Sequence, residues 1–316
     1  MIESHVIKVS DSFSGYTIPN FELDNETSIL LLCFSCSLFA SVTSIRLIFK
    51  HLKHFSQPII QRKIIAILWM VPVYAITSWF SLIFSANLSM CLDMVRDCYE
   101  SFVIYMFFSL CYSYIGQIER DLCDSTRILL VLREKAIVYH VYPLLPINLV
   151  SDASDFLLRC KRNILQFLFV KPASTVLAII LVHYFDLYEI NNYSISNGYI
   201  YITLVVNISI SISLYWLVMF YQATRKALLP FDPIPKFICV KSILFFSYWQ
   251  SLLVDSHVQN VLICIEMSFF AIAHSYAFPT TPFLFLSPGP TARSMIRNSM
   301  TDIINDINQV RRNSLT

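Results

Sequence analysis

The chain alternates between long apolar stretches and short polar segments. A helix crosses the hydrocarbon core of a bilayer with about 20 mostly apolar residues, and seven stretches of roughly that length are present. They lie at about 28–49, 64–86, 98–118, 164–185, 199–222, 235–255 and 258–279. Glu100 stands near the start of the third, and Lys171 and Pro172 interrupt the fourth. The pattern predicts an all-α, polytopic membrane protein folded as a bundle of seven transmembrane helices.

The composition agrees with this prediction and excludes other classes of protein. Only 14% of the 316 residues are charged, whereas soluble domains carry about a quarter charged residues. The net charge of +2 gives no sign of nucleic-acid binding. The nine cysteines include one pair at CxxC spacing, Cys33 and Cys36, which lies inside the first apolar stretch, and no phosphate-binding glycine loop, nucleophile elbow or zinc-protease motif occurs. We therefore expect no enzyme activity, no metal and no cofactor, with membrane lipids as the immediate partners.

The polar segments divide the chain into three parts. Residues 1–27 are polar and acidic and predict a short extracellular or lumenal tail, which precedes the seven-helix transmembrane domain at 28–286. Within this domain we expect a long cytoplasmic loop at about 119–163, whose later part is re-entrant or lies on the membrane surface. The cytoplasmic tail at 287–316 contains an amphipathic helix, which lies on the membrane surface or packs against the inner ends of the bundle. Its apolar face is formed by Ile296, Met300, Ile303, Ile307 and Val310.

Lysine and arginine collect in alternate polar segments, and this asymmetry predicts the orientation because cytoplasmic loops are the positively charged ones. The segments after the first, third, fifth and seventh stretches are basic, whereas the others contain only Lys8 and Arg96. We therefore expect the N-terminus outside and the C-terminus in the cytoplasm. The glycosylation sequons on the expected outer side are Asn25, Asn87 and Asn192. A further sequon, at Asn207, lies inside the fifth stretch.

Ionisable side chains inside the stretches are costly in a bilayer, so each is a candidate functional residue. Glu266 lies in the seventh stretch, with Asn207 and Gln250 at nearly its level in the fifth and sixth. The candidate cations of the inner half are Lys171, Lys241 and His274. This arrangement predicts a polar cavity that binds a solute; alternatively, Glu266 pairs with Lys241 or Lys171 and locks the bundle. For His274 taken alone, we expect a buried histidine with satisfied hydrogen bonds.

The start of the third stretch, VRDCYESF, holds further candidates. Arg96, Asp97 and Glu100 lie within about one helical turn, and we expect Arg96 to pair with Asp97 or Glu100. Cys91 and Cys98 are both expected on the oxidising side, where they form a disulfide or remain free thiols. The sequence leaves both alternatives for the cysteines open.

Five segments of the chain resemble one known family. They are QRKIIAILWMVPVYAITSW (61–79), VRDCYESFVIYMFFSLCYSYIG (95–116), FLLRCKRNILQFLFVKP (156–172), LVMFYQATRKALLPFDPIPKFICVKSILFFSYWQ (217–250) and NVLICIEMSFFAIAHSYAFP (260–279). In these segments the chain resembles the transmembrane protein 184 family, which includes the organic solute transporter α-subunit, and it is closer to the 184 type. The resemblance implies seven membrane helices, an outside N-terminus and facilitated movement of organic solutes, with receptor and trafficking roles also proposed for such proteins. The matching motif positions are Arg96, Asp97, Tyr99, Glu100, Lys171, Pro172, Lys241, Trp249, Gln250, Glu266 and His274.

Three departures from the family pattern bear on the substrate. The chain reads GQIE (116–119) where the family often has a Gly-Gly-Glu run, and Ser275 stands in place of the second of two histidines. The inner loop has no cysteine between Cys123 and Cys160, which removes support for palmitoylation there. None of these differences removes an intramembrane charge, so the expected fold is unchanged.

The first hypothesis for function is a membrane transporter that facilitates movement of organic solutes (anionic, steroid-like or lipid-like) through a polar cavity. The alternative is a non-transporting seven-helix receptor or membrane-trafficking scaffold, whose buried charges are structural locks. We expect a multi-pass protein of the plasma membrane or of an endomembrane such as the endosome or vacuole. A partner subunit or a homo-oligomer is compatible with either hypothesis.

Overall fold

The computed structural model describes residues 25–84, 86–116, 124–135, 137–138, 147–182 and 197–283, together with 304–305, 307–308 and 310–311. Apart from turns and two strands of two residues each, this part of the chain is helical. Its helices are α1 Asn25–Lys53, α2 Pro58–Leu68, α3 Met70–Ile83, α4 Ala86–Gly116, α5 Asp124–Glu134, α6 Leu149–Ile180, α7 Gly198–Leu228, α8 Pro233–Leu253 and α9 Ser256–Ala277. Most of the predicted outer tail, and Ile296, Met300 and Ile303 of the predicted amphipathic face, lie outside the described residues.

Five helical segments are long and apolar enough, by length and composition, to cross a membrane. They are Glu26–Lys53, Pro58–Ile83, Ser151–Ile180, Gly198–Phe231 and Ser256–Phe283. α4 and α8 are less apolar, since α4 carries four charged side chains in its first half and α8 carries two lysines. Each of the seven predicted stretches falls largely on a described helix or, for the second, on α2 and α3. The count of seven crossings therefore depends on α4 and α8.

The second predicted stretch begins earlier than expected and is divided. Pro58 stands at the start of α2, where its missing N–H would have had no helical partner, and the backbone N–H of Gln57 donates to Gln61 Oε1 at 2.8 Å. α2 ends and α3 begins around Trp69, three residues before Pro72. A proline offers no N–H to the carbonyl four residues earlier and its ring crowds that carbonyl, which accounts for the break. The helix therefore begins six residues before the expected membrane stretch at 64, and the polar run QRK belongs to it.

α6 also begins earlier in the sequence than the membrane stretch that was expected there. It begins at Leu149 rather than at 164 and reaches Ile180, so it takes in the last part of the expected loop. The helix continues through Pro172, and its non-helical backbone angles lie near the other end, at Asp152 (φ −109°, ψ 20°). Pro172 therefore does not end this helix.

The described residues between α4 and α6 form three short elements. α5, whose sequence is DSTRILLVLRE, packs against α4, α6 and α7. β1 Ile137–Val138 and β2 Ile147–Asn148 pair antiparallel just before α6. Residues 139–146, on which the choice between a re-entrant and a surface-lying segment depends, lie outside the described residues.

α4 is the central helix of the bundle. It packs against α2, α3, α5, α6, α7 and α8, and most side chains from Val103 to Ile115 are buried. A helix in these surroundings can carry charged side chains, because protein rather than lipid meets them. α9 packs against α1, α3 and α8, and α6 packs against α7. Large apolar side chains on the outer faces, such as Phe39, Leu204 and Phe269, are exposed, as expected where lipid chains cover a protein.

The described residues of the C-terminal tail contact the bundle. Ile307 and Val310 are partly buried and pack against the hydrophobic core, whereas Ile304 is exposed. For these residues the structure favours packing against the bundle over a position on the membrane surface.

Candidate functional site

Charged side chains of α4 and α6 gather at one level of the bundle. α4 begins at Ala86, so Asp97 lies eleven residues, or about 17 Å, inside the helix rather than at its start. Lys171 lies nine residues before the last residue of α6, Ile180, which is about 14 Å from that end. Each residue of this group interacts with at least one other member. We call the group the charge cluster: Asp93, Arg96, Asp97, Glu100 and Lys171.

Arg96 joins three helices through its guanidinium group. Nη2 lies 3.2 Å from Asp93 Oδ1 on the same helix, while Nη1 donates to Ser78 Oγ of α3 at 3.0 Å and to Asn260 Oδ1 of α9 at 2.9 Å. The sequence predicted Asp97 or Glu100 as the ion-pair partner of Arg96, whereas the partner in the structure is Asp93. Asp97 is adjacent in sequence, and adjacent helical side chains point in directions about 100° apart, whereas residues three apart share a face.

Lys171 and Asp97 form an ion pair between α6 and α4. Lys171 Nζ lies 3.1 Å from Asp97 Oδ2, and the side chains are 15% and 39% exposed respectively. The ammonium is therefore enclosed, whereas its carboxylate partner is accessible from outside the bundle. The sequence placed these two residues on different sides of the membrane interior, and the structure brings them together.

Glu100 is the third carboxylate of the charge cluster and the most enclosed of the three. It lies about one turn beyond Arg96 and Asp97, and its electrostatic neighbours are Lys171, Asp97 and Arg96. Three carboxylates and two cations give the cluster a charge of −1 when all five are ionised. A cluster with this charge binds a cation or a proton readily. It binds an anion only where the anion replaces one of the cluster's own carboxylates beside a cation.

Glu266 belongs to a separate polar contact between α8 and α9. Gln250 Nε2 donates a hydrogen bond of 2.5 Å to Glu266 Oε1, so the expected contact between these two residues is present. Glu266 is half-buried. Among the described residues, the ion pairs are those of Arg96 with Asp93 and of Lys171 with Asp97. The hypothesis that Glu266 forms a lock with Lys241 or Lys171 is therefore wrong.

Lys241 and Asn207 do not join Glu266. Lys241 is exposed, and its ammonium lies 5.7 Å from the centroid of the Phe237 ring on its own helix. Asn207 is partly buried on α7, which packs chiefly against α6, while Glu266 lies on α9. Agreement in depth linked Asn207 to Glu266 in the sequence, but depth contains no information about which helices are neighbours.

His274 is a core residue, but its hydrogen bonds are not satisfied by protein. It is 1% exposed, and neither ring nitrogen has a hydrogen-bond partner within the described chain. Its ring contacts that of Phe278 edge-on, with the centroids 5.6 Å apart. The expectation of a buried histidine is confirmed, and no described protein group supplies the expected hydrogen bonds.

The sequence analysis did not predict that three lysines around the second half of α4 are buried, because it assigned them to loops or did not consider them. They are Lys63 on α2, Lys161 on α6 and Lys236 on α8. Lys63 Nζ donates to Ser109 O at 3.2 Å and to Ser113 Oγ at 2.5 Å. Lys161 Nζ lies 4.6 Å from the centroid of the Tyr112 ring. The apolar positions Ile60, Ile64 and Ile67 continue the helical period across Lys63, and this signal could have placed that lysine inside a helix.

Cys91 and Cys98, for which the sequence left a disulfide and free thiols open, form no disulfide. Both residues lie on α4 as free thiols. Positions seven residues apart on one helix are separated by about 10 Å along the axis, and a disulfide needs Cα atoms about 4.4–6.8 Å apart. The alternative of free thiols holds. In the ranges that the structure describes, no group of three or more His, Cys, Asp or Glu side chains is placed to hold a metal.

The glycosylation sequons occupy different settings. Asn25 is the first residue of α1 and Asn87 lies in the first turn of α4, whereas Asn192 lies outside the described residues. Asn207 lies well inside α7, where an oligosaccharide could not be attached to a membrane-embedded helix.

Comparison with known proteins adds one finding. A family model described as "Organic solute transporter Ostalpha" matches residues 29–283, which include the charge cluster, Gln250, Glu266 and His274. No solved structure matches the chain.

Proposed function

Because this chain belongs to the organic solute transporter Ostalpha family, we propose that it carries anionic organic solutes across a membrane along its charge cluster. The family and the apolar helices make it a multi-pass membrane protein of the solute-transporter type. Within that family we assign it to the transmembrane protein 184 type, on the five matching segments of the sequence. The observation that carries the proposal is the ion pair of Lys171 and Asp97.

The ion pair has one enclosed member and one accessible member. Lys171 is 15% exposed and Asp97 is 39% exposed, so a molecule at the outer surface of α4 and α6 reaches the carboxylate first. A solute anion offers Lys171 the same carboxylate-like or sulfate-like oxygens that Asp97 offers now. Because the cluster already carries a net negative charge, the solute anion must replace Asp97 on Lys171 rather than add to the pair. The solute's apolar body would lie against the exposed apolar faces of α6 and α7.

The proposal takes α4 and α8 as membrane crossings, which gives seven in all. The charged side chains of α4 are turned toward α3, α6 and α9 in the described contacts, so lipid need not solvate them. We also propose the orientation that the lysine and arginine distribution predicts, with the N-terminus outside.

A specific observation favours the scaffold alternative for part of the cluster. Arg96 has its described contacts with three protein partners on α3, α4 and α9, which is the behaviour of a structural lock. Arg96 therefore serves to hold the helices, and exchange with solute is assigned to Lys171. If every charge of the cluster behaves as Arg96 does, the protein is a scaffold and carries no solute.

Flux measurements in proteoliposomes test the proposal. Purified protein is reconstituted and the uptake of a labelled steroid sulfate is followed over a range of concentrations. The wild type should show saturable uptake, Lys171→Met should abolish it, and Lys226→Met, which removes an exposed lysine of α7, should leave it unchanged. Absence of saturable uptake of steroid sulfates, bile-acid-like carboxylates and anionic lipids by folded wild-type protein would refute the transport proposal.

A further inference from the structure

Glu100 is a buried carboxyl group without a cation of its own. It lies at the middle of the 31 residues of α4 and is 8% exposed. Within the described chain, both ion pairs of the charge cluster join other residues, Arg96 to Asp93 and Lys171 to Asp97. Burial of a carboxylate is costly unless a cation and hydrogen-bond donors meet it. Glu100 therefore lacks the contacts that a buried negative charge requires.

Lys171 is shared by two carboxyl groups of α4. Asp97 and Glu100 are three residues apart, so they share a face of the helix, and both are electrostatic neighbours of the Lys171 ammonium group. The direct contact, at 3.1 Å, is with Asp97. When two carboxyl groups share one site, their mutual repulsion favours a state in which one is ionised and the other carries a proton. One of these two groups is therefore expected to bind a proton.

Exposure decides which of the two carboxyl groups takes the proton. The side chain of Asp97 is 39% exposed and in contact with Lys171, so both its surroundings and its cation stabilise the negative charge. Glu100 is buried and is in no ion pair with a described residue. The proton therefore belongs on Glu100. With the proton in place, each remaining carboxylate of the charge cluster has a cation of its own.

The other groups around Glu100 do not replace the proton. Arg96 is a neighbour on the same helix, but its guanidinium group is engaged by partners on α3, α4 and α9. Tyr74 of α3 is fully buried beside Glu100, and no other group of the described chain satisfies its hydroxyl. A phenol is uncharged, and it can donate to a neutral carboxyl group or accept from it. These neighbours suit the neutral form of Glu100.

We propose that Glu100 is a proton-binding site, and that its proton favours the binding of a solute anion beside Lys171. The second part rests on the proposed transport function. A proton taken from water converts the carboxylate of Glu100 into a neutral carboxyl group. An anion that replaces Asp97 on Lys171 then has an uncharged neighbour in place of a second carboxylate. The proton and the anion therefore bind cooperatively, and each raises the affinity of the protein for the other.

Infrared difference spectroscopy tests the proton site on the full chain in lipid nanodiscs, independently of transport. A neutral carboxyl group has a carbonyl stretching band that disappears when the group loses its proton. We expect such a band at neutral pH and its loss at alkaline pH. Glu100→Gln should remove this band, whereas Glu266→Gln, the same substitution on α9, should retain it. Absence of the band in the wild type, or its persistence in Glu100→Gln, overturns the proposal.

The folded yield of Glu100→Gln gives a second readout. Glutamine resembles the neutral acid in shape and charge, so this variant should fold at neutral pH as well as the wild type does. Glu134→Gln, at an exposed position at the end of α5, is the matched control. A lower folded yield of Glu100→Gln than of Glu134→Gln would show that the negative charge is needed, and it would overturn the proposal.

The pH dependence of uptake in proteoliposomes tests the link to the solute. A steroid sulfate remains ionised at neutral and alkaline pH, so a change in its KM reports on the protein. The KM of the wild type should rise several-fold as the pH is raised above neutral, because the Glu100 carboxylate then repels the anion. Glu100→Gln should keep the low KM throughout, and Glu134→Gln should follow the wild type. A pH-independent KM of the wild type overturns the cooperativity, whereas absence of uptake refutes transport itself and leaves the infrared result to decide the proton site.

Discussion

Gln250 Nε2 donates a hydrogen bond of 2.5 Å to Glu266 Oε1, and this bond ties the two helices of the last hairpin together. A carboxylate in an apolar helix is costly unless another group satisfies it. An amide on the neighbouring helix supplies that group here, while the lysines are engaged elsewhere. Glu266 is therefore held by α8, a short distance along the chain, and not by an ion pair across the bundle.

The hydrogen bond predicts an asymmetry between two variants. Gln250→Leu leaves the half-buried carboxylate without its donor and should lower the free energy of unfolding by about 1 kcal/mol, the low end for such a loss. Glu266→Gln should cost less, because the new amide oxygen can still accept from Gln250. Unfolding in mixed detergent and SDS measures both values, with Gln222→Leu at an exposed position of α7 as the control. A greater loss in Glu266→Gln than in Gln250→Leu would contradict this reading of the contact.

Arg96 should behave as a structural lock. Arg96→Met leaves Asp93 without its cation and removes the donors to Ser78 and Asn260, so the free energy of unfolding should fall by about 3 kcal/mol. Arg96→Lys should not restore it, because one ammonium lacks the planar fork that reaches three partners. The same unfolding measurement applies, and Arg46→Met at an exposed position of α1 provides the control. Full stability of Arg96→Lys would show that charge alone is needed at this position.

Lys63 should stabilise the contact between α2 and α4. Lys63→Met removes the donor to Ser109 O and Ser113 Oγ, and the loss should be about 1.5–3 kcal/mol, as for hydrogen bonds from charged groups. Lys50→Met, at an exposed position near the end of α1, should change the stability little. A double-mutant cycle with Ser113→Ala should show a coupling energy between the two positions. Simple additivity would contradict the direct hydrogen bond.

The sequence predicted the helices better than their ends. Each of the seven apolar stretches falls largely on described helices. The second and fourth stretches were started only after a run of basic residues, however, so the prediction missed that Lys63 and Lys161 lie inside α2 and α6. Those lysines are buried because their ammonium groups meet carbonyl, hydroxyl and aromatic partners on α4. Hydropathy along one segment contains no information about such partners on another.

The candidate site was also predicted only in part. The charged residues of the cluster were identified from their cost in a membrane, but the pairing of Arg96 with Asp97 was wrong because it followed sequence proximity. The alternative that Glu266 pairs with Lys241 was likewise made without knowing where the side chains point, and Lys241 is exposed. Which helices are neighbours decides such pairs, and a single sequence without tertiary contacts does not determine it.

The proposed topology predicts which sequons receive glycan. Asn25→Gln or Asn192→Gln should remove a glycan and increase mobility on a gel, whereas Asn207→Gln should not, because Asn207 lies inside α7. Enzymatic deglycosylation of the wild type serves as the reference. A C-terminal tag should resist protease added to intact cells and become accessible after permeabilisation. Cleavage of the tag in intact cells would contradict seven crossings with an outside N-terminus.

The ion pair of Lys171 and Asp97 balances one positive charge against one negative charge inside the bundle. Either single substitution leaves one charge unmatched at membrane depth, so both Lys171→Met and Asp97→Asn should lower the folded yield. Removing both charges restores the balance, and the double variant should fold better than either single variant. Its yield alone cannot separate the two roles, because both predict recovery of folding.

The flux of the folded double variant Lys171→Met/Asp97→Asn is the most direct measurement. It is compared in proteoliposomes with the wild type, at equal amounts of folded protein and with the same labelled steroid sulfate. If Lys171 binds the solute anion, the double variant should be folded and show no saturable flux. Wild-type flux in the double variant would contradict that role and leave the ion pair as a lock.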